Sequence, residues 1–390
     1  MEICEIRTLG GGANQVGVRA YNERLILSMI QRHGELPGRD IAELTSLSAQ
    51  TVSNILRGLE AEDFLLRRDP RRGRVGKPSV PMALNPDAVL TFGLKLGRRS
   101  ADLVAMNLTG EVLGSSQTTF RYPMPDEVFG YLRDGMADLS RGLTPYQRGR
   151  LRGIGIAAPS EIWSWTEVLG APLDFAIWAD VDVKAEVAKI SDLPLFTEND
   201  GTAACRAEHV LGRGREFSDY AYFFIGSFIG GGVVLNSGVT VGARNNAGAF
   251  GSLRVSAPGG GELPLIDAAS LHLLEAAITA EGLDTTALWT QPQDWTAFEP
   301  FIEPWVIRTG DALAHAIRSI GSVMDFEAVL IDGAMPSQVR DRVVARTREA
   351  LSMLDTRGLL PPRPEAAQVG ANARALGAAC APIYAQYFFQ

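Results

Sequence analysis

The chain has 390 residues, 46% of them hydrophobic and 21% charged, with a formal net charge of -8. This length exceeds one ordinary hydrophobic core, so two or three domains are expected, and the balance excludes a disordered or fibrous chain. The charge is uneven, with 12 Lys and Arg against 10 Asp and Glu in residues 1–80 and 25 against 35 in the remainder, which suits a nucleic-acid reader joined to an acidic body with another task.

In chain order, residues 14–31 form a first helix with Leu25/Met29 and Ile26/Ile30 one turn apart. Residues 38–45, GRDIAELT, give a short second helix with Ile41 and Leu44 facing inward, and Ser46 and Leu47 turn the chain. Residues 47–59, LSAQTVSNILRGL, then offer Ser48 as an N-cap and place Val52, Ile55, Leu56 and Leu59 on one apolar stripe at i, i+3, i+4 and i+7. The opposite face carries Ala49, Gln50, Thr51, Ser53, Asn54 and Arg57, side chains able to enter a major groove and reach base edges or phosphates. An ordinary amphipathic helix has the same pattern. The short preceding helix and tight turn, with the spacing of a helix-turn-helix, favour a recognition helix.

Two extended runs follow at residues 64–68 and 80–84, the second alternating Val80, Met82 and Leu84. Between them DPRRGRVGKPS supplies Pro70, Gly73, Gly76 and Pro78 for a hairpin tip. Arg67, Arg68, Arg71, Arg72, Arg74 and Lys77 stand there against the single Asp69, so a wing that grips the phosphate backbone or a minor groove is expected.

Beyond Val89 short strands at residues 91–96, 101–108 and 111–120 form a meander, followed by a helix near 126–143, a strand at 151–158, a helix near 183–190, a strand at 193–197 and a helix from Gly201. The same order returns with strands at 222–226, 231–235 and 239–242, helices near 265–280 and 300–324, a strand at 328–331 and helices at 338–354 and 373–388. This is an α/β body with a duplicated unit, and two such lobes would face a ligand cleft. Cys4, Cys205 and Cys380 are too scattered for a disulfide framework or zinc knuckle, which points to a reducing cytoplasm. The N-terminal MEICEIRTLGGG lacks a signal-peptide core, and the most apolar stretch, 220–235, is glycine-rich and shorter than the ~20 residues of a membrane helix. No membrane partner is expected.

With these segments in place the chain resembles the ROK family of repressors, open reading frames and sugar kinases, in the branch where a winged helix-turn-helix precedes the body. In the head the likeness rests on Asn14, Arg19 and Asn22, on LSAQTVSNIL, and on GKP from Gly76 to Pro78. In the body it rests on GIGIAAP from Gly153, Trp178, LPLFTENDGTAA from Leu193, GSFIGGGVV from Gly226, AGAFG from Ala247 and IDGAMP from Ile331. The resemblance implies a two-lobed, actin-like (ribonuclease H-like) sugar-kinase body behind a winged helix-turn-helix. The expected division is a DNA-binding head at 1–85, a first lobe at 86–200 completed by the C-terminal helix 371–390, and a second lobe at 201–370.

The kinases of this family hold ATP and magnesium with an acidic residue in a first phosphate loop. The matching segment here, GLKLGRRS, carries Lys95, and a cation cannot serve as an oxygen ligand for a hard metal. Phe228 interrupts the glycines expected to cradle phosphate, at a cost of ~1–2 kcal/mol if its backbone must be left-handed, and its ring would fill nucleotide space. Asn199 and Asp200 match the pair that binds sugar hydroxyls and supplies the catalytic base, and they equally suit an N-cap for the helix that follows. The family's next sugar contacts, Glu and His, are replaced by Ala249 and Ser252. The segment SAPGGGELPLIDAAS contains no cysteine, so no zinc site is expected, and the glycine-rich 258–261 should be a flexible loop in place of the zinc hairpin. His33, His209, His272 and His315 show no ligand spacing and are expected at the surface or at caps. Asp267 lies one residue from the family's last sugar-contacting acid.

The expectation is a transcriptional regulator, a repressor by resemblance, without cofactor, metal or catalytic residue. Its partners would be double-stranded DNA, a sugar effector at Asn199 and Asp200, and a second copy in a homodimer or homotetramer. DNA contacts fall to Ser48, Gln50, Thr51, Ser53, Asn54 and Arg57 on the helix and to Arg71, Arg72, Arg74 and Lys77 on the wing. An active ATP-dependent sugar kinase and a regulator with no effector are the alternatives.

Overall fold

A computed structural model describes residues 15–70, 79–160, 163, 172–257 and 259–389. They divide into two compact units, Met1–Val89 with Tyr384–Phe389, and Leu90–Ile383.

In the first unit α1 (Gln15–His33), α2 (Gly38–Thr45) and α3 (Ala49–Ala61) enclose Ile26, Leu27, Ile30, Ile41, Val52, Ile55, Leu56 and Leu59, all buried. The turn between α2 and α3 reverses at Ser46, whose φ of 56° is left-handed. Leu44, expected inside, is 49% exposed: it lies about 60° around α2 from Ile41, and so short a helix turns only one residue onto the core. A three-stranded sheet closes the unit, with β1 (Leu36–Pro37) and β2 (Leu65–Arg67) on either side of β3 (Pro81–Leu84). The two-residue β1 is too short to leave a period in the sequence.

The last residues of the chain join this unit, which corrects the assignment of all of 371–390 to the first lobe. Arg24 donates from Nη2 to the Phe388 carbonyl at 2.5 Å, and the Phe389 amide donates to Ser28 Oγ at 2.8 Å. The first of these bonds satisfies a carbonyl at the end of the C-terminal helix, where carbonyls lack partners within the helix. The Phe389 and Tyr387 rings lie 4.8 Å from Tyr21 and 5.3 Å from Phe64 respectively.

The second unit holds two five-stranded sheets of the same design. In the first, β4 (Leu90–Leu96), β5 (Ser100–Asn107) and β6 (Val112–Thr119) form an antiparallel meander, and β7 (Leu151–Ala158) and β8 (Leu195–Asn199) add in parallel beside β4, giving the order β6-β5-β4-β7-β8. In the other, β9 (Tyr220–Ile225), β10 (Ile229–Leu235) and β11 (Gly238–Thr240) form the meander, and β14 (Ala328–Gly333) and β15 (Arg363–Ala366) follow β9, giving β11-β10-β9-β14-β15. β15 is absent from the predicted elements because RPEA has neither β-branched residues nor alternation, and Pro364 tells against a strand. It forms at the sheet edge, where such a residue is tolerated.

Helices fill the same gaps in both repeats: α4 (Pro125–Gly142), α5 (Val183–Ala188) and α6 (Asp200–Leu211) in the first, and α7 (Leu271–Ala280), α8 (Glu299–Gly321), α9 (Ser337–Met353) and α10 (Ala373–Tyr387) in the second. The helices that follow each fifth strand, α6 and α10, meet through glycine and alanine. A Cβ on Gly377 would lie 1.7 Å from the Ala203 carbonyl oxygen, and one on Gly155 equally close to that of Ala378, so only glycine permits either approach. Ala157, Ala203 and Ala378 fill the space between them.

The expected loop at 258–261 joins two short strands, β12 (Arg254–Ser256) and β13 (Glu262–Pro264), which pair antiparallel. Gly259, Gly260 and Gly261 between them all have positive φ, a backbone conformation that glycine adopts readily. His209 lies in the last turn of α6, and His272 in the first turn of α7. Each is half-buried, His209 against Tyr220 and His272 with its ring 4.8 Å from that of Phe228.

Candidate nucleic-acid interface and effector cleft

Ser48 caps α3 by accepting from the Thr51 amide at 3.1 Å, and its hydroxyl lies 2.8 Å from that of Thr51. This fixes the start of the helix and hence which residues face outward. Gln50, Ser53, Asn54 and Arg57 are exposed and Thr51 is half-buried. Gln50 donates to Asn54 Oδ1 at 3.0 Å, and Arg57 donates to the same oxygen at 2.5 Å, so three polar groups form one row along the exposed face. An amide and a guanidinium are the groups that read adenine and guanine bidentately. Arg67 and Arg68, at the base of the wing, are paired within the head, Arg67 with Glu60 and Arg68 with Glu35 at 3.0 Å. They therefore contribute less positive field than the sequence count suggested. Arg71, Arg72, Arg74 and Lys77 lie outside the described residues.

In the body, Asn199 is the N-cap of α6: its Oδ1 accepts from the Gly201 amide at 2.9 Å and that of Thr202 at 3.4 Å, while its amide nitrogen donates to Ser160 Oγ at 3.0 Å. Asp200, on the next residue, lies 3.4 Å from Arg374 Nη1. Both face a cavity of 410 Å³ lined also by Arg98, Phe228, Ala249 and Ser252. That volume falls within the ~300–1,000 Å³ of small-molecule sites. The structure thus brings Asn199, Asp200, Ala249 and Ser252 together at one cavity, and Asn199 fills the capping role and the lining role at once.

Lys95 stands where a metal-binding carboxylate would be needed, and its surroundings are those of an ion pair. Its ammonium lies 2.8 Å from Asp102 and donates to Ser100 Oγ at 2.6 Å and to the Ser100 carbonyl at 3.1 Å. Burial pulls its pKa down to about 8, against the upward pull of Asp102, and the nearby Arg374 lowers it further. These residues do not fit magnesium-bound ATP. Phe228 does not adopt the left-handed backbone that a phosphate-cradling glycine could require: its φ is not positive, so no strain arises. Its ring does fill space, buried with Arg98 stacked 4.3 Å above it. The ring lines both the 410 Å³ cavity and a second, 800 Å³ cleft lined also by Arg99, Phe120, His272, Glu275 and Trp289.

The sequence reading missed Arg98 and Arg374. Arg98 belongs to the RR pair of GLKLGRRS, where only Lys95 carried a sequence signal. Arg374 had no local signal, because it lies 174 positions beyond Asp200 and 279 beyond Lys95.

The chain matches the ROK family over residues 91–263 and the MarR family over residues 21–74. It is 24% identical over 243 residues to the xylose repressor of Bacillus subtilis, an alignment that spans 62% of this chain and 62% of the repressor, so just under two thirds of that relative is covered. The crystal structure of a ROK family transcriptional regulator, a homologue of the E. coli MLC protein, superposes with a TM-score of 0.68 at 20% identity and covers 95% of this chain and 97% of that one. A ROK hexokinase from Thermus thermophilus superposes with a TM-score of 0.53 at 23% identity, over 75% of this chain and 98% of the hexokinase. Hexokinase and regulator share the body fold, and the head distinguishes them. Residues 91–263 are thus similar to the ROK family and residues 21–74 to the MarR family, and the chain has the fold in which a winged helix-turn-helix precedes a body of sugar-kinase architecture.

Proposed function

We propose that the protein represses transcription by binding DNA through α3 and the wing, that its body senses a sugar or sugar derivative, and that it does not phosphorylate that sugar. Ser48, Gln50, Thr51, Ser53, Asn54 and Arg57 are the helix contacts, Arg71, Arg72, Arg74 and Lys77 the wing contacts, and Asn199 and Asp200 the effector contacts. The head is taken as residues 1–85, with lobes at 86–200 and 201–370. The observation that carries the reading is the exchange at Lys95. The place that kinase chemistry reserves for a metal-binding carboxylate holds an ammonium paired to Asp102, while the cavity beside Asn199 and Asp200 stays open. Without bound nucleotide Asp200 has no phosphoryl group to direct a hydroxyl toward.

A homodimer or homotetramer in the cytoplasm accords with this reading, since closure of the lobes around ligand would shift the placement of two heads on paired half-sites. Among the described residues no helix is long and apolar enough to cross a membrane. The test is selection of genomic fragments by the purified protein, with and without a panel of sugars, beside a phosphoryl-transfer assay on the same panel. Sequence-specific binding released by one sugar, with no turnover, is expected. Turnover from ATP that Asp200→Asn abolishes would replace the reading with a sugar kinase.

A further inference from the structure

We propose that the effector is a deoxy sugar, one in which a methyl or a hydrogen replaces a hydroxyl, with that apolar edge seated against Ile229, Ala249, Pro264 and Ile266. The inference deepens the sugar-sensing reading and rests on it. The lining of the 410 Å³ cavity falls into two groups of unlike chemistry. Ser160, Asn199 and Asp200 come from the chain after β7 and from the passage of β8 into α6. Ile229, Ala249, Pro264 and Ile266 come from the start of β10 and from the segments around the β12–β13 pair.

The first group can hold hydroxyls. Asn199 uses Oδ1 on the Gly201 and Thr202 amides and one N–H on Ser160, which leaves it a second N–H, and the Asp200 carboxylate accepts more bonds than its 3.4 Å contact with Arg374 occupies. The second group offers a ligand no polar side-chain atom, and its nearby backbone is already engaged. Fully buried Ser270 accepts from the Ile229 amide at 3.0 Å and donates to the Ile266 carbonyl at 2.6 Å. These bonds tie Ile229 to Ile266, and Gly251 packs between them: a Cβ there would lie 2.8 Å from the Ile229 carbonyl oxygen and 3.4 Å from Ile266 Cβ. The Ser252 hydroxyl, beside this surface, donates to the Ala249 carbonyl at 2.9 Å. A sugar held by its hydroxyls at Asn199 and Asp200 therefore turns its other edge to an aliphatic surface. A hydroxyl desolvated there without a partner is costly, whereas a methyl gains from burial.

The experiment is calorimetric titration of the full-length protein with matched sugars: D-galactose against D-fucose, L-mannose against L-rhamnose, and D-glucose against its 6-deoxy and 2-deoxy forms. It is repeated on Ile266→Thr, which keeps the branched shape and adds a hydroxyl, and on Ala249→Ser. In at least one pair the deoxy sugar should bind roughly 10- to 100-fold tighter than its parent, the scale on which an apolar site rejects an added hydroxyl, and the preference should shrink in Ile266→Thr or Ala249→Ser. The comparison on the unaltered protein decides the matter even where a variant folds poorly. Parents that bind as tightly as their deoxy partners in every pair would overturn the inference and leave the sugar-sensing reading intact. A deoxy preference unchanged in both variants would also overturn it. No binding of any of these sugars by protein that still binds DNA would count against sugar sensing, and against the deoxy preference with it.

Discussion

Phe388→Ala tests whether the C-terminal residues are part of the DNA-binding head. Phe388 is 1% exposed, stacks 5.2 Å from Tyr384, and belongs to the segment that groups with the first unit. A phenylalanine ring buries about 150–250 Å². At about 25 cal/mol per Å² this is roughly 4–6 kcal/mol, and Phe→Ala substitutions in cores cost about 3–5 kcal/mol. A loss of about 4 kcal/mol is therefore expected, a large part of the ~5–15 kcal/mol that holds a domain folded. Hydrogen exchange read by mass spectrometry separates the two units, with amides of α1 and α3 reporting the head and those of β9 and β14 serving as the internal reference. Protection should fall in α1 and α3, persist in β9 and β14, and DNA affinity should fall in parallel. A change below about 1 kcal/mol in α1 and α3, or an equal loss in both units, would refute the assignment of the C-terminal residues to the head.

Ser48→Ala removes the cap of α3 and should lower the stability of the head by about 1 kcal/mol, read from its urea midpoint; an unchanged midpoint would show the cap to be idle. Asn54→Ala frees both Gln50 and Arg57 from their shared oxygen and should alter base preference, whereas joint neutralisation of Arg71, Arg72, Arg74 and Lys77 should weaken binding to all sequences and flatten its salt dependence. An unchanged salt slope in the wing variant would remove the wing from the interface. The pKa of Lys95, pulled down to about 8 by burial, ties stability to pH, and thermal midpoints of the body measured from about pH 7 to 10 should rise; a midpoint flat over that range would disprove the shift. A lysine depressed below its unfolded value leaves the folded state with fewer bound protons, so Lys95 makes the fold more stable as pH rises from about 8 toward ~10.4.

The elements with strong local periods were legible in the chain. The stripe Val52, Ile55, Leu56 and Leu59 is buried as its spacing requires, and the meander-then-alternation order of the body appears twice as two sheets of the same topology. Such features depend on side chains a few positions apart, and a sequence displays those directly. Tertiary structure decided matters that depend on distant partners. RPEA became an edge strand because β14 offered it a ladder, and the strands on either side of the glycine turn at 259–261 paired with each other. Arg67 and Arg68 were drawn from the wing's field by Glu60 and Glu35. Arg374 acquired its place beside Lys95 and Asp200 only when α10 packed through Gly377 against Ala203. Local propensity carries no information about a contact closed across hundreds of residues, so the sequence alone supported a DNA reader with a sugar-kinase frame, and the charge inside its cleft emerged only from the fold.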